Sequence, residues 1–276
     1  NDTLVGQNAA AVFNVTAAND TYISGGVTLI LQNFDDFTGG TGVDIFNLTG
    51  NHAGNLTGGN GNDIVNLNVG ALTGFVNGDA GNDTFNLNGG TVTGAITGGT
   101  NTDTLVGSST GYTVTGANSG THAQLGGGWN TVENLTGTGS ADTFTFTGAG
   151  SISGTADGLG GADILDFSTS GSAQTVTVTA LGATDGFNGT STSSAGFSNI
   201  DTITTPVGNN TFTGGLAGTT NIKGGDDTYV SGGRTLILTG STFANFNGSG
   251  GTDTINLTRA LTGNINAGAG TNTVNI

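Results

Sequence analysis

The sequence predicts an all-β fold, a parallel β-helix or β-solenoid with coils of about 20 residues. Three observations point there: an acid-led phrase that returns about every 20 residues, apolar residues that alternate with period two inside it, and 55 glycines among 276 residues with a single proline.

Asp44 opens Ile45-Phe46-Asn47-Leu48, Asp63 opens Ile64-Val65-Asn66-Leu67, Asp83 opens Thr84-Phe85-Asn86-Leu87 and Asp103 opens Thr104-Leu105-Val106. Successive acids stand 19, 20 and 20 residues apart. The phrase returns at Asp142, Asp163, Asp227 and Asp253, and Asn272 takes the acidic place in the last copy.

Within each phrase the second and fourth residues after the acid are apolar and the third is usually Asn or Thr, which predicts a strand with one buried and one wet face. A shorter strand follows about ten residues later, with one apolar residue between glycines, as in Gly54-Asn55-Leu56-Thr57-Gly58 and Gly94-Ala95-Ile96-Thr97-Gly98. Each unit is thus read as two strands and two glycine-rich turns. Neither strand can bury its apolar face alone, but copies stacked at about 4.8 Å form a continuous core. A right-handed coil is expected, because crossovers between parallel strands almost always take that hand.

Glycine at this level, without proline and without a three-residue period, excludes collagen. Apolar residues make up 33% of the chain and are spread evenly along it, which argues against disorder. Nineteen acids face only Lys223, Arg234 and Arg259, a net charge of −16. That balance excludes nucleic-acid binding, since too few cations exist to displace counterions from phosphates, and it disfavours anionic membrane surfaces. No run of about 18 apolar residues exists, so no membrane insertion is expected. The N-terminal residues lack a basic-then-apolar pattern, so any secretion signal is expected outside this segment. There is no cysteine for a disulfide framework.

A longer period lies over the short one. Asp20-Thr21-Tyr22-Ile23-Ser24-Gly25-Gly26-Val27-Thr28-Leu29-Ile30-Leu31 returns as Asp227-Thr228-Tyr229-Val230-Ser231-Gly232-Gly233-Arg234-Thr235-Leu236-Ile237-Leu238, 207 residues on. Asp44 matches Asp253 at an offset of 209. The chain therefore reads as a single β-solenoid over 1–276 in which residues 1–67 return as 209–276. It is expected to be a window on a longer tandem array, or a subunit that continues head to tail. Residues 108–135 and 168–200 are less regular and read as longer coils or loops, with Thr175-Val176-Thr177-Val178-Thr179 a plain alternating strand.

Gly39-Gly40-Thr41-Gly42-Val43-Asp44 and Gly58-Gly59-Asn60-Gly61-Asn62-Asp63 resemble the glycine-rich nonapeptide of the RTX calcium-binding repeats, and Gly78-Asp79-Ala80-Gly81-Asn82-Asp83 is close to it. More of the chain resembles the giant repeat-rich surface proteins of bacteria, the filamentous-haemagglutinin-like and β-strand-repeat adhesins. The phrases that carry this are Gly111-Tyr112-Thr113-Val114-Thr115-Gly116, Val132-Glu133-Asn134-Leu135-Thr136-Gly137, Ala141-Asp142-Thr143-Phe144-Thr145-Phe146 and Gly196-Phe197-Ser198-Asn199-Ile200-Asp201. The resemblance implies an exported rod at the cell surface or in the extracellular space.

Ca2+ near Asp44, Asp63 and Asp83 is the first chemical expectation, because calcium takes six to eight oxygens and these acids recur at one position. Acids in register about 4.8 Å apart repel by about 0.9 kcal/mol per pair in water and about 3.5 kcal/mol at an effective dielectric of 20, so counter-ions or outward splay are expected to relieve them. The alternative is that each Asp caps a turn by accepting backbone N–H bonds. Asn47, Asn66, Asn86 and Asn256 are expected to form amide ladders between copies. No catalytic constellation emerges: His52 and His122 are isolated, and the pairs Asp35-Asp36 and Asp226-Asp227 lie in glycine-rich turns.

These readings converge on a non-enzymatic structural segment of an extracellular filament, stalk or surface layer that self-associates head to tail or laterally. The alternative is an adhesin segment that binds a host or polysaccharide ligand through loops in 108–135 and 168–200.

Overall fold

A computed structural model describes residues 2–107, 111–216, 218–222, 227–231, 233–239, 243–257 and 263–276. Lys223, Asp226, Gly232 and Arg259 lie outside the described residues. Among those described there is no helix, so none is long and apolar enough to cross a membrane. The chain forms many short strands in stacked, largely parallel sheets, grouped in two compact units: Asn1–Thr110 with Asn118–Thr136, and Gly111–Ala117 with Gly137–Ile276.

In the first unit the acid-led strands form one parallel column. Ala11–Val15 pairs with Asp44–Leu48, then come Ile64–Leu67, Thr84–Asn86, Thr104–Val106 and Asn134–Thr136. Phe13, Phe46, Val65, Phe85, Leu105 and Leu135 are thereby in register as one interior file, each almost fully buried. Phe13 and Phe46 stack face to face at 4.5 Å. The alternation read from the sequence is the burial pattern of Asp44–Leu48: positions 44, 46 and 48 are buried and 45 and 47 partly exposed.

The shorter strands form a second column, with Leu4, Phe37, Leu56, Val76, Ile96 and Trp129 in register. A third set was not anticipated: Ala71–Leu72 pairs in parallel with Thr91–Val92, and Val92 with Leu125. These strands hold one buried side chain each, Leu72 or Val92, too short an alternation to stand out from the flanking turns. The repeat in this unit therefore carries three strands where two were expected.

The second unit is built the same way. Tyr112, Phe144, Leu165, Ile203 and Leu238 share one parallel register, and Val176, Phe212, Phe246 and Ile265 another.

Antiparallel hairpins interrupt the columns. Ser119–His122 folds back on Leu125–Asn130, and Thr175–Leu181, Phe187–Thr190 and Ser194–Ile200 make an antiparallel triplet. These are the two irregular zones, where the chain leaves the parallel register and rejoins it. The hairpin that recurs in the sequence also recurs in the structure. Asp20–Ser24 pairs with Val27–Leu31, and Asp227–Ser231 with Arg234–Thr239, both antiparallel and in the same register.

Candidate functional site

Asp44, Asp63 and Asp83 stand one above another at the start of their strands, with at most 1% of each exposed. The acids do not splay outward, one of the two ways in which their repulsion was expected to be relieved, the other being counter-ions. Each turns inward and reaches back one repeat: Asp44 Oδ1 accepts the Ala11 N–H at 2.8 Å, Asp63 Oδ1 that of Asp44 at 2.8 Å, and Asp83 Oδ1 that of Asp63 at 2.7 Å. Asp103 Oδ1 accepts from Asp83, and Glu133 from Asp103. In the second unit Asp142 donates to Asp163, Asp163 to Asp201, Gly218 to Asp253, Asp253 to Asn272 and Gln174 to Asn210. The expected backbone cap exists, but it spans repeats.

Room for this inward turn comes from a glycine five residues before each acid. A methyl group at Gly58 would lie 2.4 Å from Asp63 Oδ2, at Gly78 2.2 Å from Asp83 Oδ2, and at Gly158 2.3 Å from Asp163 Oδ2. Gly39, Gly98, Gly137 and Gly248 stand in the same relation to Asp44, Asp103, Asp142 and Asp253. The spacing was present in the sequence all along, as Gly-x-x-x-x-Asp.

The second carboxylate oxygen divides the acids into two classes. Oδ2 of Asp44, Asp142 and Asp253 accepts the N–H of the residue four before it: Gly40, Thr138 and Ser249. Oδ2 of Asp63, Asp83, Asp103 and Asp163 is buried without a partner. In those four the residue four before is left-handed: Gly59 (φ 101°), Asp79 (φ 71°), Gly99 (φ 118°) and Leu159 (φ 67°). Two of these N–H groups bond elsewhere: Gly99 donates to Thr131 Oγ1 at 2.9 Å and Leu159 to Asp157 Oδ1 at 3.0 Å.

The charged form of such a carboxyl is disfavoured. Burial pushes Asp63 up to about 7, with Asp83, Asp44 and Asp79 adding repulsion against the opposing bond from the Asp44 amide. Burial likewise raises Asp83, Asp103 and Asp163 to about 6.

In the column of Asp44, Asp63 and Asp83, where Ca2+ was first expected, each Oδ1 holds a backbone amide and each Oδ2 lies over a glycine. Among the described residues, the group of three acids whose oxygens come within 4.8 Å of one another is Asp163, Asp185 and Asp201. Asp185 arrives on the turn between Thr175–Leu181 and Phe187–Thr190, where its Oδ2 accepts the Gly161 N–H at 3.0 Å. Arg234 holds this turn through the carbonyls of Gly182 at 2.6 Å and Gly186 at 3.1 Å. Neither Asp185 nor the Arg234 clamp was visible in the sequence, because the residues involved are dozens of positions apart and follow no period.

The asparagines form the expected ladder. Asn86 Nδ2 donates to Asn66 Oδ1 at 2.8 Å, Asn66 to Asn47 at 2.9 Å, Asn47 to Asn14 at 3.0 Å, and Asn14 to Thr21 Oγ1 at 2.9 Å. Asn275 donates to Asn256 in the same sense. His52 and His122 are buried apart from each other's contacts, His52 bonding the Asp35 carbonyl through Nε2 and His122 accepting the Gln124 N–H at Nδ1. Asp35 Oδ2 accepts the Asp2 N–H and Asp36 Oδ1 that of Asn55, 33 and 19 residues away along the chain. No family model, curated protein or solved structure matches the chain.

Proposed function

We propose that this chain is a structural repeat segment, a right-handed parallel β-solenoid with coils of about 20 residues, that builds an extracellular filament, stalk or surface layer. The observation that carries the reading is the register. Equivalent residues of successive repeats lie opposite one another, so backbone pairing, the file from Phe13 to Leu135, the carboxylate bonds and the asparagine ladder all run from copy to copy. Such an arrangement gains core and hydrogen bonds with every added copy, which suits extension.

Electron microscopy and fibre diffraction of the native material test this. Extended particles with a reflection near 4.8 Å along their length are expected; compact particles without it would refute the proposal.

An adhesive role through 108–135 and 168–200 has less support, because Trp129, Phe187 and Phe197 in those zones are buried. Deleting 182–186 should abolish ligand binding if the segment is an adhesin, and leave assembly intact if it is structural. A stabilising Ca2+ is best placed at Asp163, Asp185 and Asp201, where three acids converge. Thermal melts that coincide with calcium and with chelator would exclude it.

A further inference from the structure

The two copies of the duplicated hairpin differ in what covers them. In the second copy, Thr202–Thr204 pairs in parallel with the outer strand, Thr202 opposite Ile237 and Ile203 opposite Leu238, and the Ile237 N–H donates to the Asp201 carbonyl at 2.8 Å. Leu236 and Leu238 are fully buried there, and Phe187 packs on Tyr229 with ring centres 5.7 Å apart. In the first copy the matching strand, Val27–Leu31, is the last of its sheet. Val27, Leu29 and Ile30 are 61%, 48% and 71% exposed, against 0% for Leu236 and 38% for Ile237. Beside them lies a hollow of about 250 Å³ lined by Gln7, Tyr22, Ser24, Gly25, Val27 and Leu29.

An apolar strand edge of this kind is a template for pairing. We propose that it receives the parallel strand of a second copy of the repeat joined ahead of this one, that copy's Asp201–Thr204, whose Asp201 carbonyl would accept the Ile30 N–H. The copy's Phe187 would fill the hollow beside Tyr22 as it meets Tyr229 here. The proposal rests on the solenoid reading for the continuation of the stack, but its occupant comes from the internal duplication. Val27 stands where Arg234 stands in the later copy, so the junction would lack the clamp on the 182–186 turn and depend on strand pairing and apolar cover.

The test compares the present chain with one carrying a second copy of residues 137–208 fused directly ahead of residue 1. In the present chain the Ile237 amide should exchange slowly with solvent and the Ile30 amide fast. In the fusion, Ile30 should slow by about a hundredfold or more. Ile30→Asp should lower the melting temperature of the fusion by about 5 °C or more while leaving the present chain nearly unchanged.

An Ile30 amide that exchanges equally fast in both chains, with Ile30→Asp silent in both, overturns the proposal. Protection of Ile30 in the present chain that grows with concentration also overturns it, by assigning the cover to a separate molecule. If either result appears while the 4.8 Å repeat persists, the solenoid reading stands and only this docking fails.

Discussion

Asp63 holds Asp44 with one oxygen and leaves the other over Gly58 without a donor. The same division of labour recurs in Asp83, Asp103 and Asp163, and it makes the column sensitive to protons in a way that open turn acids would not be.

Stability should therefore fall as pH rises. These carboxyls sit at about 6 to 7 in the folded chain and near 3.8 when unfolded, so the folded state binds protons more tightly between those values. The contribution is present in full below the unfolded value and is lost as pH climbs through the folded one. Thermal melts at pH 5 and pH 8 should give the higher midpoint at pH 5; the opposite order would show that the column is not desolvated as described.

Asp63→Asn should be tolerated at pH 8 and should flatten the pH dependence, whereas Asp63→Ala should destabilise by about 1–3 kcal/mol. Asparagine already fills this place at Asn272, which accepts the Asp253 N–H and donates to the carbonyl of Gly268, a left-handed residue four before it like Gly59 before Asp63. Alanine would leave the buried Asp44 amide without an acceptor. Denaturant titrations of the two variants separate these outcomes, and equal losses would count against the carboxylate bond.

Gly58→Ala should cost about 3 kcal/mol, because the added methyl would meet Asp63 Oδ2 at 2.4 Å and the Gly78 carbonyl at 2.7 Å. Gly25→Ala, at a hairpin turn with φ 56° and nothing within 4 Å, should cost only about 1 kcal/mol from backbone strain. The comparison distinguishes a glycine kept for space from one kept for its dihedral angle, and chemical unfolding of both variants measures it.

Asn66→Ala should destabilise by about 1 kcal/mol, since the ladder is partly open to solvent and water can replace some of what is lost. Side-chain amide resonances of Asn47 and Asn86 report the break directly. If they do not move, the ladder does not exist in solution.

Much of this was legible in the residues. Phe46, Val65 and Phe85 announce a common interior file because the same alternation returns at nearly constant spacing, and the asparagines between them announce their ladder for the same reason. The inward direction of the acids was not legible, because a carboxylate in a glycine-rich phrase reads equally as a solvated turn or a metal ligand. What accompanies the inward turn is the glycine five positions before each acid, Gly58 before Asp63, while the left-handed Gly59 goes with the loss of a partner for the second oxygen. The third strand set escaped because Leu72 and Val92 each stand alone, and the meeting of Asp185 with Asp163 and Asp201 because a non-repeating turn delivers it.

The two kinds of side-chain bond between repeats run in opposite senses: each acid accepts the amide proton of the repeat before it, whereas each asparagine gives its own proton to the repeat before it. The two ends of a stack are consequently inequivalent. Peeling away the last repeat leaves its predecessor with a backbone N–H that has lost its carboxylate, whereas peeling away the first leaves its successor with an asparagine Nδ2 that has lost its carbonyl. Each bared end thus presents a different kind of donor, main-chain at one and side-chain at the other, which gives a symmetric-looking ladder a built-in polarity.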